Sequence, residues 1–419
     1  MNENGWSCKN LVDPSVGALS EFQEGIVMKK VYLKNRFRGY PYHSLFTEIV
    51  GYPPNGYEYY FDNFSSFMNT QAHSFDRKLH GMALTNSLWY NAKALLYTGW
   101  QMSNTLPHSM NFDLVFAMQQ LIFDDVPWVV DFEFVNALVG YGNIRTCKKE
   151  VEKTLRSQFC KKILPWSDWS KKTMECSLDC KYLEEKIEKV NLAVKRKSLP
   201  QKKDTGRVRL LFVGSTNPPN SHNFELKGGI EAIEAFVKLS ERYDCLDLVV
   251  RSWVPKEILS RYSQIANLRF CCTPLSSSAL ADLYASSDIF LFPSHTNLGM
   301  AILEAMSYEL PVVSLDVYDI PEAVQDMKTG LLLEPSKDVP YYTWNGSPNH
   351  FDKRFWSAIG RSKSSLVSKL VEAVSLLIEN DSLRRNMGVE GKRQVEDGVF
   401  SLEHRNRKIR KIFEESLKK

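Results

Sequence analysis

The sequence has no apolar run of about 18 residues, the length that a membrane-spanning helix needs. Its first residues, MNENGWSCKN, lack the charged-then-apolar order of a secretory signal peptide. Its eight cysteines follow no regular spacing, and a chain of 419 residues does not need disulfides to be stable. We therefore expect a cytoplasmic protein in a reducing compartment.

An excess of charge of one sign is also missing, because 53 basic residues are balanced by 49 acidic ones. The formal net charge of +4 makes nucleic acid an improbable partner, and we predict none. The Cys176 and Cys180 pair has no second Cys or His pair nearby to complete four ligands, so we predict no metal site. A hydrophobic fraction of 43% excludes a disordered chain, and the length favours two domains.

From residue 206 onward, short apolar runs alternate with amphipathic stretches of helical length. Each run is nearly continuous in apolar residues, which predicts strands covered on both faces by helices. The predicted strands are 210–213, 246–250, 268–271, 289–292, 311–315 and 331–333, and the predicted helices are 228–242, 256–265, 277–286 and 299–308. This alternation predicts a doubly wound parallel sheet.

The N-terminal half shows a weaker version of the same pattern. Its strand-like runs are 31–33, 57–61, 114–117, 126–130 and 163–164. Residues 195–207 are basic and broken by Pro and Gly, which predicts a linker, and the aperiodic stretch 340–362 predicts an inserted loop. Two such sheets place the carboxyl ends of their strands at a shared cleft, where we expect the ligand site.

The first informative stretch runs from a strand ending at Gly214 to Phe224-Glu-Leu-Lys227-Gly-Gly229, where a predicted helix begins. Together these residues offer backbone N–H groups, the positive end of a helix dipole and a cation. This combination favours a phosphate ligand. The alternative is that Gly214 only turns the chain and Lys227 is solvated.

The second stretch, Pro293-Ser-His-Thr-Asn-Leu-Gly-Met-Ala-Ile-Leu-Glu304, leads from a strand into a helix that starts near Gly299. The free N–H groups of this helix predict a second anion-binding position. Since the helix is apolar on almost every face, we expect Glu304 to be largely buried and to need donors. A ribose diol would provide them; the alternative is an ordinary ion pair. We assign no chemistry to the stretch 317–330.

The ordered motifs of residues 207–417 resemble those of a known family. They are Phe212-Val-Gly214, Glu225-Leu-Lys227-Gly-Gly229, Asp288 to Ser294, Gly299 to Glu304, Leu310 to Val313, Ile320 to Val324, Thr329-Gly330 and Phe400 to Glu403. In this order they are similar to glycosyltransferase family 4, while the N-terminal half matches only loosely. The resemblance implies an α/β protein with the GT-B fold, two Rossmann-like doubly wound domains facing a central cleft. It also implies a retaining enzyme with a nucleotide-sugar donor.

Carried over residue by residue, the resemblance implies that Lys227 neutralises the donor diphosphate and that Glu304 holds the ribose hydroxyls. The N–H groups of Leu298, Gly299 and Met300 would meet sugar or phosphate oxygens, and the base would lie against the loop at Thr273. The predicted domains are an extension at 1–27, an acceptor domain at 28–200, a nucleotide-sugar domain at 206–398, and a helix at 399–419 that crosses back to the acceptor domain.

Two departures from the family pattern concern the donor. Ser215 stands where the family has an arginine, and Arg251, at the end of the next strand, is our hypothetical replacement. Thr296 stands where the family has the first of two glutamates, and we expect His295 beside it to take over the contact to the donor sugar; the alternative is that the donor sugar differs. Asn297 is the remaining residue of this stretch that we predict to bind the donor.

The acceptor is harder to predict. Asn35 to Gly39 follow the first strand, and Asp131 and Glu133 end another, so we list Asp131 as a catalytic residue that orients or deprotonates an acceptor hydroxyl. The alternative is that these are loop and helix-cap residues. The aromatic stretch 36–64 suits sugar stacking or membrane contact, but a packed core is favoured.

We therefore predict a retaining hexosyltransferase that moves a sugar from a nucleotide-diphosphate donor to a saccharide or lipid-linked acceptor, without cofactor or metal. The alternatives are a nucleotide-sugar-binding protein with impaired catalysis and a GT-B sugar-nucleotide epimerase. Basic clusters at 148–203 and 405–411 are either solvated faces, which we favour, or a peripheral contact to the inner face of a membrane.

Overall fold

The computed structural model describes residues 28–35, 44–60, 87–103, 105–106, 111–199, 206–215 and 223–418. Outside these ranges lie the predicted extension 1–27, residues 36–39, the two ends of the aromatic stretch 36–64 (36–43 and 61–64), residues 200–205 of the predicted linker, and residues 216–222. The described chain divides into two compact units. Unit 1 comprises Met1–Leu192, Trp344–Ser347 and Leu402–Lys419, and unit 2 comprises Ala193–Thr343 and Pro348–Ser401.

Unit 1 is built around a parallel sheet of five strands. Its strands are β1 (Lys29–Asn35), β2 (Tyr57–Tyr60), β3 (Leu114–Met118), β4 (Trp128–Phe132) and β5 (Cys160–Pro165), in the order β2-β1-β3-β4-β5. Its helices are α1 (Ser44–Val50), α2 (Ser87–Ser103), α3 (Lys148–Arg156) and α4 (Asp168–Glu175). Every residue of β3 and β4 is buried, which is why β3 appears in the sequence as an unbroken apolar run and β4 as an apolar run interrupted by Asp131 alone.

Unit 2 contains a parallel sheet of six strands in the order β11-β10-β9-β6-β7-β8. These strands are β6 (Val208–Val213), β7 (Leu246–Arg251), β8 (Leu268–Cys271), β9 (Ile289–Phe292), β10 (Val312–Leu315) and β11 (Gly330–Leu333). The helices are α5 (Asn223–Leu226), α6 (Gly229–Ser240), α7 (Lys256–Tyr262), α8 (Ser277–Ala285), α9 (Met300–Ser307), α10 (Ile320–Ala323), α11 (Lys353–Glu379) and α12 (Asp381–Glu396). The order is that of a Rossmann sheet.

The helix α13 (Leu402–Ser416) closes the sequence and belongs to unit 1. Its Phe413 is fully buried, with the ring edge-on to Tyr57 at 5.1 Å and to Phe116 at 6.0 Å between centroids. The buried guanidinium of Arg405 donates to the carbonyl oxygens of Glu48 and Tyr52. Unit 1 thus draws its last core residues from the end of the chain.

The prediction of a loop over the whole of 340–362 is wrong at its C-terminal end, because α11 begins at Lys353. The side chain of Asp352 accepts a hydrogen bond from the N–H of Arg354 and caps the helix. Phe355, Ala358 and Ile359 are buried at helical spacing, a period that the neighbouring aromatic and Pro residues obscure in the sequence. Within the described ranges, no helix combines the length and apolarity needed to span a membrane.

Candidate functional site

The point where the strand order of unit 2 reverses lies between β6 and β9. In open parallel sheets, ligands bind outside the carboxyl ends of the strands at such a point. Gly214 and Ser215 follow β6 directly, and the loop Pro293–Gly299, called here the donor loop, follows β9. Both stretches singled out in the sequence therefore lie where this fold binds ligands.

The ends of β6 and β7 are held together by a close approach at Gly214. The N–H of Gly214 donates to the Arg251 carbonyl oxygen at 2.8 Å, and Arg251 Nη1 donates to the Gly214 carbonyl oxygen at 3.0 Å. A Cβ atom at Gly214 would lie 2.3 Å from Ser252 Oγ, so only glycine fits. Arg251 is thereby fixed at the carboxyl end of β7. Its Nε has no hydrogen-bond partner among the described residues.

Lys227 lies near the carboxyl end of β9, beside the ring of Phe292. The next residue, Gly228, has φ 76° and directly precedes α6 as its N-cap, and a Cβ atom there would lie 2.2 Å from the Pro293 carbonyl oxygen. This contact packs the Lys227 segment against the donor loop. The half-buried Lys227 ammonium lies 5.5 Å from the centre of the Phe292 ring, and no carboxylate of the described chain forms an ion pair with it.

Lys227, Arg251 and Glu304 form one electrostatic cluster. Burial lowers the pKa of Lys227, the charge of Arg251 lowers it further, and the charge of Glu304 opposes both. Burial also lowers the pKa of Arg251, against the opposing effects of Tyr284 and Glu304. Two partly desolvated cations with unused donors therefore lie near one carboxylate, an arrangement that attracts a multiply charged anion.

Glu304 is only partly buried, so the expectation of a largely buried carboxylate is wrong in degree. Its Oε2 accepts a hydrogen bond from the Tyr284 hydroxyl at 3.0 Å, a donor that the sequence reading missed. Burial and the charge of Glu304 raise the pKa of Tyr284 well above its ordinary value, so the phenol stays protonated and keeps donating. Tyr284 also stacks on Tyr308 with ring centres 5.3 Å apart.

The start of α9 supplies fewer free donors than predicted. The N–H of Leu298 donates to Asp319 Oδ1 at 2.7 Å, and Asp319 is buried, so the prediction that this N–H meets a ligand is wrong. Asp319 lies in the stretch 317–330 to which the sequence analysis assigned no chemistry. No described residue accepts a hydrogen bond from the N–H of Gly299 or Met300, which leaves these two groups for an anion.

His295 lies in the interior of unit 2, with 2% of its surface exposed. Its Nδ1 lies 2.8 Å from the Tyr341 hydroxyl and its Nε2 lies 3.5 Å from Glu231 Oε1. Because both ring nitrogens face groups of their own unit, the expectation that His295 contacts the donor sugar is wrong. The Thr296 hydroxyl donates to Asn297 Oδ1 at 3.0 Å, which stiffens the loop beside it.

The remaining predicted donor residues have different exposures. Thr273, in the loop after β8, is exposed, and Ser215 and Thr296 are half-buried. Their roles remain predictions. No group of three or more His, Cys, Asp or Glu side chains in the described ranges could hold a metal ion.

Asp131 lies in unit 1 at the end of β4, with 4% of its surface exposed. Its Oδ1 accepts from the N–H of Gln119 at 3.1 Å and its Oδ2 accepts from Trp166 Nε1 at 3.0 Å. Burial raises the pKa of Asp131 to about 7. Glu133 accepts a short hydrogen bond from the Tyr141 hydroxyl. Both carboxyl groups thus have partners in their own unit, as structural carboxyl groups do.

Comparison with known proteins gives matches of several kinds. Residues 207–341 match the model of the family described as glycosyl transferases group 1. Alpha-maltose-1-phosphate synthase of Mycolicibacterium smegmatis is 28% identical over 157 residues, which cover 36% of this chain and 34% of that protein. D-inositol 3-phosphate glycosyltransferase of Rhodococcus erythropolis is 29% identical over 141 residues, 31% of each protein. The matched stretches thus span about a third of these relatives.

Solved structures resemble nearly the whole chain. HepE of Anabaena, in complex with UDP and glucose, has a TM-score of 0.56 and 11% identity, with 93% of this chain and all of that chain covered. Sucrose-phosphate synthase of Thermosynechococcus elongatus has a TM-score of 0.56 and 12% identity, with 92% and 98% covered. With the two parallel sheets, these likenesses confirm the predicted GT-B fold.

Proposed function

We propose that the chain is a retaining glycosyltransferase with a nucleoside-diphosphate sugar as donor, a proposal supported by the match of residues 207–341 to the group 1 glycosyl transferases. The observation that carries the proposal is the cluster of Lys227, Arg251 and Glu304 at the carboxyl ends of β6, β7 and β9. The proposed acceptor is a saccharide or a lipid-linked acceptor, and the cytoplasmic location and peripheral membrane contact stay predictions.

The two cations would act on the leaving group. Cleaving the bond between the sugar and the diphosphate develops negative charge on the diphosphate and positive charge at the sugar ring. Lys227 and Arg251 supply fixed positive charge where the negative charge grows, and Arg251 supplies the second cation that Ser215 cannot. The N–H groups of Gly299 and Met300 add two donors at a helix start.

Glu304 would bind the ribose. A diol donates two hydrogen bonds to one carboxylate, and the Tyr284 hydroxyl already orients Glu304 by occupying Oε2. Arg251 Nε, which has no hydrogen-bond partner among the described residues, and the Lys227 ammonium would bind the diphosphate.

The route of the acceptor's proton and the stereochemistry of transfer are inferred from the lack of a second carboxylate among the described residues of this cluster. Among the described residues of the cluster, Glu304 is the single carboxylate, and its proposed ribose contact excludes it as a nucleophile. We therefore assign the reaction to attack by the acceptor on the face from which the diphosphate leaves. A diphosphate oxygen takes the acceptor's proton, and no metal enters the scheme.

The test is calorimetric binding of UDP, GDP and ADP and of their common sugar conjugates to the full chain. UDP comes first because HepE, which shares the fold, was crystallised with it. We expect one nucleotide to bind, and Lys227→Ala and Glu304→Ala each to weaken that binding. With an acceptor identified, each loss should lower turnover about 100-fold, or about 3 kcal/mol of barrier.

Matched controls are Lys238→Ala and Glu257→Gln, which remove exposed charges of the same unit. Both should leave binding unchanged. Absence of binding to every nucleotide would contradict the proposal. Binding without transfer to any acceptor would favour a catalytically impaired binding protein, and conversion of the donor without acceptor would favour an epimerase.

A further inference from the structure

Resting on the proposed function, we propose that Glu231 and His295 form a buried pair of positioning residues that sets the donor loop against the Lys227 segment. Both side chains are buried, so we place neither of them against the donor. The pair would act by holding the two anion-binding segments of unit 2 at a fixed separation.

Burial is the first observation. Glu231 on α6 is 3% exposed and His295 is 2% exposed. Their closest polar atoms, Glu231 Oε1 and His295 Nε2, are 3.5 Å apart, an ion-pair distance. Among the described residues, Glu231 Oε2 and His295 Nε2 have no hydrogen-bond partner. A carboxyl group and an imidazole in apolar surroundings with so few other partners depend on each other.

The surroundings of His295 show what the pair holds. Its N–H donates to the Leu226 carbonyl oxygen at 2.8 Å, one residue before Lys227. Its carbonyl oxygen accepts from His350 Nε2 at 3.2 Å. Its ring stacks on Tyr341, with centres 6.0 Å apart. Backbone and side chain of this one residue therefore join the donor loop to three other segments.

The geometry gives the pair a direct route to the anion site. A shift of His295 would move its backbone bond to Leu226, and with it the Lys227 ammonium. The same shift would move Thr296 and the start of α9, where the N–H groups of Gly299 and Met300 are unused. Packed segments of this kind transmit small displacements because they cannot deform locally. Fixing one buried pair thus fixes the positions of both sets of donors.

The experiment uses the whole chain given by the sequence and three variants of the pair. Glu231→Gln and His295→Gln each leave one member of the pair without its partner. The double variant replaces the pair by two amides that can hydrogen-bond to each other. Glu234→Gln is the control, since it removes a carboxylate one turn away on α6 whose ion pair with Lys363 is partly exposed.

Two measurements are made on each variant: affinity for UDP, GDP and ADP, and hydrogen exchange of the donor-loop peptides. We expect each single variant to bind the accepted nucleotide about tenfold more weakly and to show faster hydrogen exchange at residues 293–303. The double variant should recover most of the affinity and most of the protection from exchange. Tyr341→Phe, which removes only the hydroxyl next to Nδ1, should show a smaller version of the same change.

Unchanged exchange and affinity in the single variants would overturn the proposal. So would a double variant whose loss equals the sum of the single losses, or an equal loss in Glu234→Gln, because either result indicates general destabilisation of α6. If the unmodified protein binds no nucleotide, the proposed function fails, and loop exchange alone still decides whether the pair fixes the donor loop.

Discussion

The sequence predicts a catalytic role for Asp131, but its side chain has the surroundings of a structural group. Both of its carboxyl oxygens accept hydrogen bonds within unit 1, and burial raises its pKa to about 7 from the ordinary 3.8. A carboxyl with a raised pKa stabilises the fold below the unfolded-state pKa, and this stability is lost as pH rises toward 7. The loss over this window is on the order of 4 kcal/mol at most.

We therefore expect Asp131→Asn to flatten the pH dependence of unfolding of unit 1 between pH 4 and 7 and to leave turnover within about threefold. Thermal melts at several pH values and steady-state rates at saturating donor measure the two effects. A 100-fold fall in turnover with normal donor binding would instead establish Asp131 as the acceptor's base.

His350 produces the opposite dependence in unit 2. Burial lowers its pKa to about 4 from 6.5, so the unfolded state binds a proton first as the pH falls. Stability is complete above about pH 6.5 and is lost toward pH 4, by up to about 3 kcal/mol. We expect His350→Gln to remove this acid sensitivity, seen as a smaller drop in the melting temperature of unit 2 between pH 7 and 4.5. An unchanged drop would contradict the assignment.

At the scale of elements, Gly228 joins α6 to the donor loop. Its positive φ and its contact with the Pro293 carbonyl oxygen leave no room for a side chain. We expect Gly228→Ala to destabilise unit 2 by about 1–3 kcal/mol and to weaken nucleotide binding, because the new methyl group separates the two segments. Denaturant unfolding and calorimetry measure these losses.

Gly360 provides the matched control. It is exposed within α11, and a Cβ atom there would meet nothing within 4 Å. Gly360→Ala should therefore stabilise the helix by about 0.5–1 kcal/mol and leave binding unchanged. Equal losses in both variants would contradict the role given to Gly228.

Elements were predictable where burial is uniform. The strand over 289–292 has the predicted bounds, because its four apolar residues are all buried and form the continuous run that marks a strand covered on both faces. The site was predictable as far as neighbouring residues define it, as with Lys227 and Glu304. Three further residues could not be predicted: Tyr284, Asp319 and Tyr341. Each contacts a partner that is distant in the sequence, and hydrophobic periodicity carries no information on such pairs. The burial of His295 depends on these partners.

At the scale of the whole molecule, unit 1 depends on residues that follow unit 2 in the sequence. Phe413 and Arg405 of α13 lie buried in unit 1. We expect a chain ending at Ser401 to lose the cooperative unfolding transition of unit 1 and to keep nucleotide binding, because removing one buried Phe already costs about 3–5 kcal/mol. Scanning calorimetry with and without nucleotide separates the two units. A chain ending at Leu417 is the control and should keep both transitions.

The segment Trp344–Ser347 also belongs to unit 1, although the residues on either side of it belong to unit 2. The ring of Trp344 lies 3.6 Å from the Arg145 guanidinium carbon, and Asn345 Nδ2 donates to Asn136 Oδ1 at 3.1 Å and to Ser177 Oγ at 2.7 Å. The pieces of unit 1 are therefore distributed over almost the entire sequence.

This distribution determines the order in which the protein can fold on the ribosome. Domains of most chains fold in the order in which they are translated. Here the first 192 residues emerge early but lack their closing helix until translation reaches residue 402 and beyond. Unit 2 can complete its sheet and helices first, so unit 1, whose first part is translated before unit 2, is completed after it.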